Sequence, residues 1–170
     1  MSPPAEDELA QRLARIEGRL DALETTGAAP SAPASGDDPY WALNQLRDLA
    51  DSPGAVLFTG LVDLPTGEHY EWQQGVPAEG VLESDWSLQA PALAALAHPA
   101  RVRILQEVLR GTRSAADLQA LDDIGSTGRL YHHVRQLVAA GWLRTEGRAR
   151  YSVPPQRVIP LLVIIACTAS

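Results

Sequence analysis

Lysine is absent from this 170-residue chain: all 14 basic residues are arginine. With 13 prolines, 13 glycines and abundant alanine, that usage points to a GC-rich bacterial genome. Cysteine occurs once, at Cys167, which excludes an internal disulfide framework and fits a reducing, cytoplasmic compartment. Lying in an apolar run, Cys167 reads as an unreactive packing residue. The longest apolar run, Leu161 to Cys167, falls far short of the roughly 20 residues needed to cross a bilayer. The opening MSPPAEDELAQ is acidic and has no apolar core, so neither a signal peptide nor a membrane partner is expected. Catalytic signatures are also missing: there is no nucleophile elbow, Walker loop, HExxH pair or convincing carboxylate dyad. No enzyme and no cofactor is expected, and the scattered acids read as a solvated surface.

Positive charge is scarce overall, with a net of −7, yet it is unevenly placed. Residues 1–97 hold 16 acids and 4 arginines, a net of −12, whereas residues 98–170 hold 5 acids and 10 arginines, a net of +5. Screening in cellular salt hides charges beyond about 8–10 Å, so a basic patch can hold phosphates despite a distant acidic region.

Residues 3–25 read as a helix. Leu9, Leu13, Ile16, Leu20 and Leu23 form a heptad seam with Leu13 and Leu20 at a and the others at d. Arg12 and Arg19 then fall at g and Glu17 and Glu24 at e, so a parallel pair matches Arg12 to Glu17 and Arg19 to Glu24. Parallel self-association is expected; the alternative is that the stripe packs on its own domain. Two to three heptads are short for independent stability, so a second interface is required. Residues 26–38 are a flexible linker of small residues.

Residues 39–86 read as an acidic module, a helix through Ala50 followed by a hairpin. Ala55 to Asp63 and Glu68 to Gln74 are its strands, joined across Leu64-Pro65-Thr66-Gly67. Val56, Phe58, Val62, Tyr70 and Trp72 give the hairpin one apolar face, which must cover something. Tyr70 and Trp72 read first as packing residues; they are also the candidate surface for a small-molecule or protein effector at residues 40–86.

From residue 87 to residue 153 the pattern is helix, turn, helix, then a basic hairpin. The stretch from Ser126 to Leu143 organises it. Leu130, Val134 and Leu137 stack on one buried helical face, while Gly128, Arg129, His132, Arg135 and Gln136 fall opposite. Ser126 or Thr127 can cap the start, Gly141 stops the end, and Tyr131 sits on the flank. Arg, His and Gln on a helix face offer the donors that guanine and adenine edges accept in a major groove. Arg135 has a local ion pair as its alternative, and His133 reads as packed or bonded to backbone. Arg144, Arg148 and Arg150 on the following hairpin are placed to grip phosphates, which fixes position rather than sequence. The order is that of a winged helix-turn-helix. The fold class expected is mainly α with small β elements (α+β). Double-stranded DNA is the expected partner, contacted by Ser126, Thr127, Arg129, Tyr131, His132, Arg135, Gln136 and the three wing arginines. His98, before Pro99, reads as a structural hydrogen-bonding residue, and Arg101 and Arg103 as backbone holders or local ion pairs.

LAALAHPARVRIL, LYHHVRQLVAAGWL and GRARYSV resemble the opening helix pair, recognition helix and wing of the arsenic-repressor-like (ArsR-type) winged-helix family. The resemblance covers residues 91–153. It implies a homodimer that binds an inverted-repeat operator and represses transcription until an effector releases it. It also implies a C-terminal helix in the dimer interface, a role that residues 154–170, with Leu161, Leu162 and Ile165, would fill. The richness of that segment in Val and Ile equally allows a strand. Metal-sensing members of the family carry a Cys pair in the third helix or His and acidic ligands in the last. SAADLQAL and VIPLLVIIACTAS supply neither, so no metal site is expected. The expectation is a homodimeric, sequence-specific regulator in the cytoplasm, on the nucleoid, with higher oligomers left open. The alternatives are a DNA-organising protein and a protein-interaction module acting on another regulator.

Overall fold

A computed structural model describes residues 39–121 and 124–169. The seam residues Leu9, Leu13, Ile16, Leu20 and Leu23, and the linker, lie outside the described residues. Contacts divide the chain into two units, Met1–Leu49 and Ala50–Ser170. In the first, α1 (Trp41–Leu49) is the described element, with Arg47 donating to Asn44 Oδ1 at 3.1 Å across one turn.

The second unit begins with the long hairpin. Strands β1 (Ala55–Asp63) and β2 (His69–Pro77) pair antiparallel from Ala55↔Pro77 to Asp63↔His69. The first strand runs as expected. The second continues three residues beyond Gln74, because Ala55, Val56 and Leu57 still offer it ladder partners. The turn closes through Leu64 N–H to Glu68 O at 2.9 Å and Gly67 N–H to Leu64 O at 2.9 Å, with Gly67 at φ +82°. A short helix, α2 (Ala78–Glu83), and a single 3-10 turn at Trp86–Gln89 follow. Neither has a periodic apolar face in the sequence.

The winged helix comes next as α3 (Ala90–Leu96), α4 (Pro99–Leu109), α5 (Ala115–Gln119) and α6 (Thr127–Ala139). Strands β3 (Arg144–Thr145) and β4 (Tyr151–Ser152) then lead into α7 (Pro155–Thr168). The class is α+β: helices with two small antiparallel hairpins. His98 caps α4, its Nδ1 accepting from Ala100 N–H at 3.1 Å, and Pro99 opens the helix where no intrahelical donor is needed. Arg101 donates to Ala94 O at 2.8 Å and also to Ala95 O, closing off the end of α3. Arg103 pairs with Glu107 at 3.2 Å.

One core joins these elements. Ile104, Leu105, Val108, Leu118, Ile124, Leu130, Leu137, Trp142 and Val158 are among its most deeply buried side chains. Fully burying each aliphatic one contributes up to ~1.5–3 kcal/mol. Trp142 also donates its indole N–H to Ala92 O at 2.9 Å, and the Arg157 guanidinium lies 4.9 Å from its ring centre.

The structure bears on three sequence readings. Within residues 39–86 the contact division falls between Leu49 and Ala50, and the hairpin packs on α7. The reason is visible at Gly60, where a β-carbon would lie 2.5 Å from Ile159 Cγ2; only a bare backbone lets helix and strand approach so closely. The C-terminal segment is a helix, entered at Pro155 and carrying Pro160 inside it, and Leu161 is buried in this unit's own core. Cys167 is exposed, because the buried stripe of α7 is confined to its first half.

Candidate nucleic-acid interface

The interface builds outward from α5 and α6. Ser114 caps α5, its Oγ accepting from Asp117 N–H at 3.1 Å and donating to Asp117 Oδ2 at 2.6 Å. Gly125, at φ +82°, turns the chain toward α6, and its carbonyl accepts from Gln119 Nε2 at 2.6 Å. Ser126 is the N-cap residue of α6, yet its hydroxyl makes no capping bond, so the hydroxyls of Ser126 and Thr127 stay at the surface.

On α6 the two faces separate as the spacing requires. Leu130, Val134 and Leu137 are buried, while Arg129, Tyr131, His132, Arg135 and Gln136 are exposed. Among the described residues neither Arg129 nor Arg135 forms an ion pair, so the local pairing open to Arg135 in the sequence is not made there. Arg129 lies along Gly125, where a β-carbon would meet its Cδ at 3.1 Å. His133 is buried, its ring centre 4.5 Å from that of His98, and its Nδ1 has no hydrogen-bond partner. Burial holds the His133 pKa below its ordinary value, with His98, Arg101, His132 and Arg129 adding to the effect.

The wing is fastened to the start of α5. Tyr151 N–H donates to Arg113 O at 2.8 Å, Ala115 N–H donates to Ala149 O at 2.8 Å, and Ser114 bridges Arg150. Its tip takes left-handed backbone at Gly147 (φ +72°) and Ala149 (φ +50°), which cuts the ladder to two residues a side. Arg148 and Arg150 are exposed and unpaired among the described residues. Arg144 is engaged within the wing. It donates to Ser152 Oγ at 2.9 Å and to Glu146 Oε1 at 2.7 Å, so its charge braces the wing from within. The Ser152 hydroxyl, then Arg144, holds the Glu146 carboxyl below its usual range. Tyr131 flanks this edge, close enough to raise the pKa of Tyr151 after burial has done so.

The remaining predicted residues lie elsewhere. Tyr70 is half-buried against the core, and Trp72 keeps 37% of its surface exposed. Leu162 is half-buried and Ile165 is exposed. Arg113 was not legible as an interface residue. Its backbone holds β4 while its side chain pairs with Glu68, which lies 45 residues earlier in the chain. That pairing holds the Glu68 carboxyl below its usual range. Among the described residues no three His, Cys, Asp or Glu side chains converge as a metal site would require. No described helix is long and apolar enough to cross a membrane.

Residues 96–146 match the family described as a helix-turn-helix domain. Over 79 residues the chain is 38% identical to a probable mercury resistance operon repressor of Streptomyces lividans, across 45% of this chain and 62% of that protein. The chain therefore spans less than two thirds of that relative's length. It is also similar to the crystal structure of M. tuberculosis Rv0081, at 31% identity over 51% of this chain and 90% of that chain, with a TM-score of 0.42. The C-terminal half thus matches a helix-turn-helix domain over residues 96–146.

Proposed function

We propose that this chain is a DNA-binding transcriptional regulator that works as a homodimer, selects its operator by sequence and uses no metal. One observation carries the reading: α6 is anchored by Leu130, Val134 and Leu137 and turns a row of Arg129, His132, Arg135 and Gln136 to solvent, its two arginines without an ion pair among the described residues. A helix held this way presents fixed donors to base edges, and each bidentate arginine–guanine contact contributes ~1–3 kcal/mol of discrimination. Arg148 and Arg150 on the wing supply phosphate contacts, and Ser126, Thr127 and Tyr131 flank the row. Two copies would set their recognition helices about 34 Å apart, in successive major grooves. Leu162 and Ile165 of α7 and the N-terminal seam are the self-association surfaces of this reading. The likeness to a probable operon repressor favours repression and a place on the nucleoid in the cytoplasm.

Selection from randomised duplexes, followed by titration of the enriched site, tests it. Enrichment of an inverted repeat is expected, with Arg129→Ala and Arg135→Ala each weakening binding roughly 5- to 150-fold. Affinity should not change with EDTA, and light scattering should return a dimer. Equal affinity for every sequence would overturn the reading.

A further inference from the structure

Behind the hairpin turn lies an apolar cavity of about 370 Å³, bounded by the end of β1 and its turn, α4 and the middle of α7. Val62, Leu64, Val102, Leu105, Leu162 and Ile165 are among the side chains that wall it. All three walls belong to the same unit. No feature of the proposed DNA interface uses it.

Size and charge together decide what would occupy it. A stable interface between proteins needs ~800 Å² from each partner, far more than a recess bounded by a few side chains provides. Small-molecule pockets begin near ~300 Å³. An engineered apolar cavity of ~150 Å³ holds benzene, so this one has room for ~15 non-hydrogen atoms. The polar groups at its edge are already committed. Arg110 pairs with Glu107 at 3.2 Å, Asp63 with His69 at 2.6 Å, and Gln106 Oε1 accepts from Arg103 at 3.0 Å. Glu107 is shared by Arg103 and Arg110, so one arginine charge is in excess at the solvent edge; the walls themselves are apolar, and burying a charge against them is costly.

We infer that this cavity is a binding site for an uncharged, apolar small molecule of about 15 non-hydrogen atoms, such as a fused or linked pair of aromatic rings. The inference does not rest on DNA contact by α6, but it shares Leu162 and Ile165 with the self-association surface proposed above. A bound molecule would join α4 to the long hairpin and α7, and so would raise the stability of the whole unit.

The test uses the full chain with three probes: 1-naphthol, 4-phenylphenol and the anion 1-naphthoate. The two neutral probes are expected to raise Tm by about 3–6 °C at roughly 10 times Kd, and the rise should continue logarithmically with concentration. Naphthoate should bind at least ~10-fold more weakly. Methyl resonances of Val62, Val102, Leu105 and Leu162 should shift with the neutral probes. Val102→Phe and Ile165→Phe, which fill the space, should abolish the Tm shift. Absence of a Tm shift with either neutral probe overturns the inference, as does a methyl map centred on Leu88 and Leu93. It is also overturned if Ile165→Arg splits a dimer while the probes leave the cavity methyls unmoved, since the occupant is then a second copy. Should a filling variant fail to fold, the wild-type methyl map decides alone. DNA affinity measured on the same samples keeps failure of the regulator reading separate.

Discussion

The β1–β2 hairpin pairs nine residues of each strand and lays one side on α7, whereas the wing pairs two residues a side and holds Arg148 and Arg150 out to solvent. Both are antiparallel hairpins of one unit, and both meet Arg113, whose side chain reaches the first and whose backbone reaches the second. The long hairpin's worth lies in packing, so its sequence alternates and its turn is tight. The wing's worth lies in charge, so its ladder is only long enough to be fastened by Arg113, Ser114 and Ala115. Extent of pairing follows what each hairpin must bury.

Substitutions can break this comparison, the most damaging at the packed side. Gly60→Leu drives a side chain into Ile159 and should cost about 3 kcal/mol in chemical denaturation, while the salt dependence of DNA binding in the folded fraction stays unchanged. Loss of less than ~0.5 kcal/mol would mean the hairpin does not bear on α7 as described. Next comes the charged side. Arg148→Ala with Arg150→Ala should leave stability within ~0.5 kcal/mol and lower the salt slope by ~2. In that variant the fall in affinity between 50 and 200 mM salt becomes about tenfold smaller than in wild type. An unchanged slope would remove the wing from the phosphates.

The joint between the two hairpins should yield less. Arg113→Ala is expected to cost about 1 kcal/mol, because the pair it breaks is partly exposed to solvent. Glu68 sits below its ordinary pKa in the fold, so its share of stability is present above the unfolded carboxylate value and fades as pH falls through the folded one. The Arg113→Ala deficit should therefore shrink in acid; a deficit independent of pH would assign it to packing. Smallest is the His133 effect. Its pKa is depressed in the fold, so the unfolded chain takes up the proton more readily and stability declines as pH drops below the ordinary histidine value. Comparing melting curves of wild type and His133→Leu across that window should show the flatter profile in the variant.

Much of the helical half was legible because its signals are local. Leu130, Val134 and Leu137 announce α6 by spacing alone, and Ser114, Pro99 and Gly141 punctuate neighbouring elements within a few residues. What sequence could not give depends on distant partners. Nothing around Gly60 points to Ile159, nothing around Arg113 points to Glu68, and Arg144 reads as a free cation until Glu146 and Ser152 fold back on it. The choice between helix and strand for the last segment was likewise settled by packing, because its β-branched residues satisfy either period. The Arg129, His132, Arg135, Gln136 row was visible from the start; that Arg129 and Arg135 lack ion pairs among the described residues was not.

The setting of Trp142 has an optical consequence. Trp41, Trp72 and Trp86 are at least a third exposed and emit from a watery environment, while Trp142 is enclosed by the core with its indole N–H bonded to backbone. Its light should be bluer and beyond the reach of a polar quencher such as acrylamide. A single native fluorophore would then report on the junction of α3, α6 and α7 without any label.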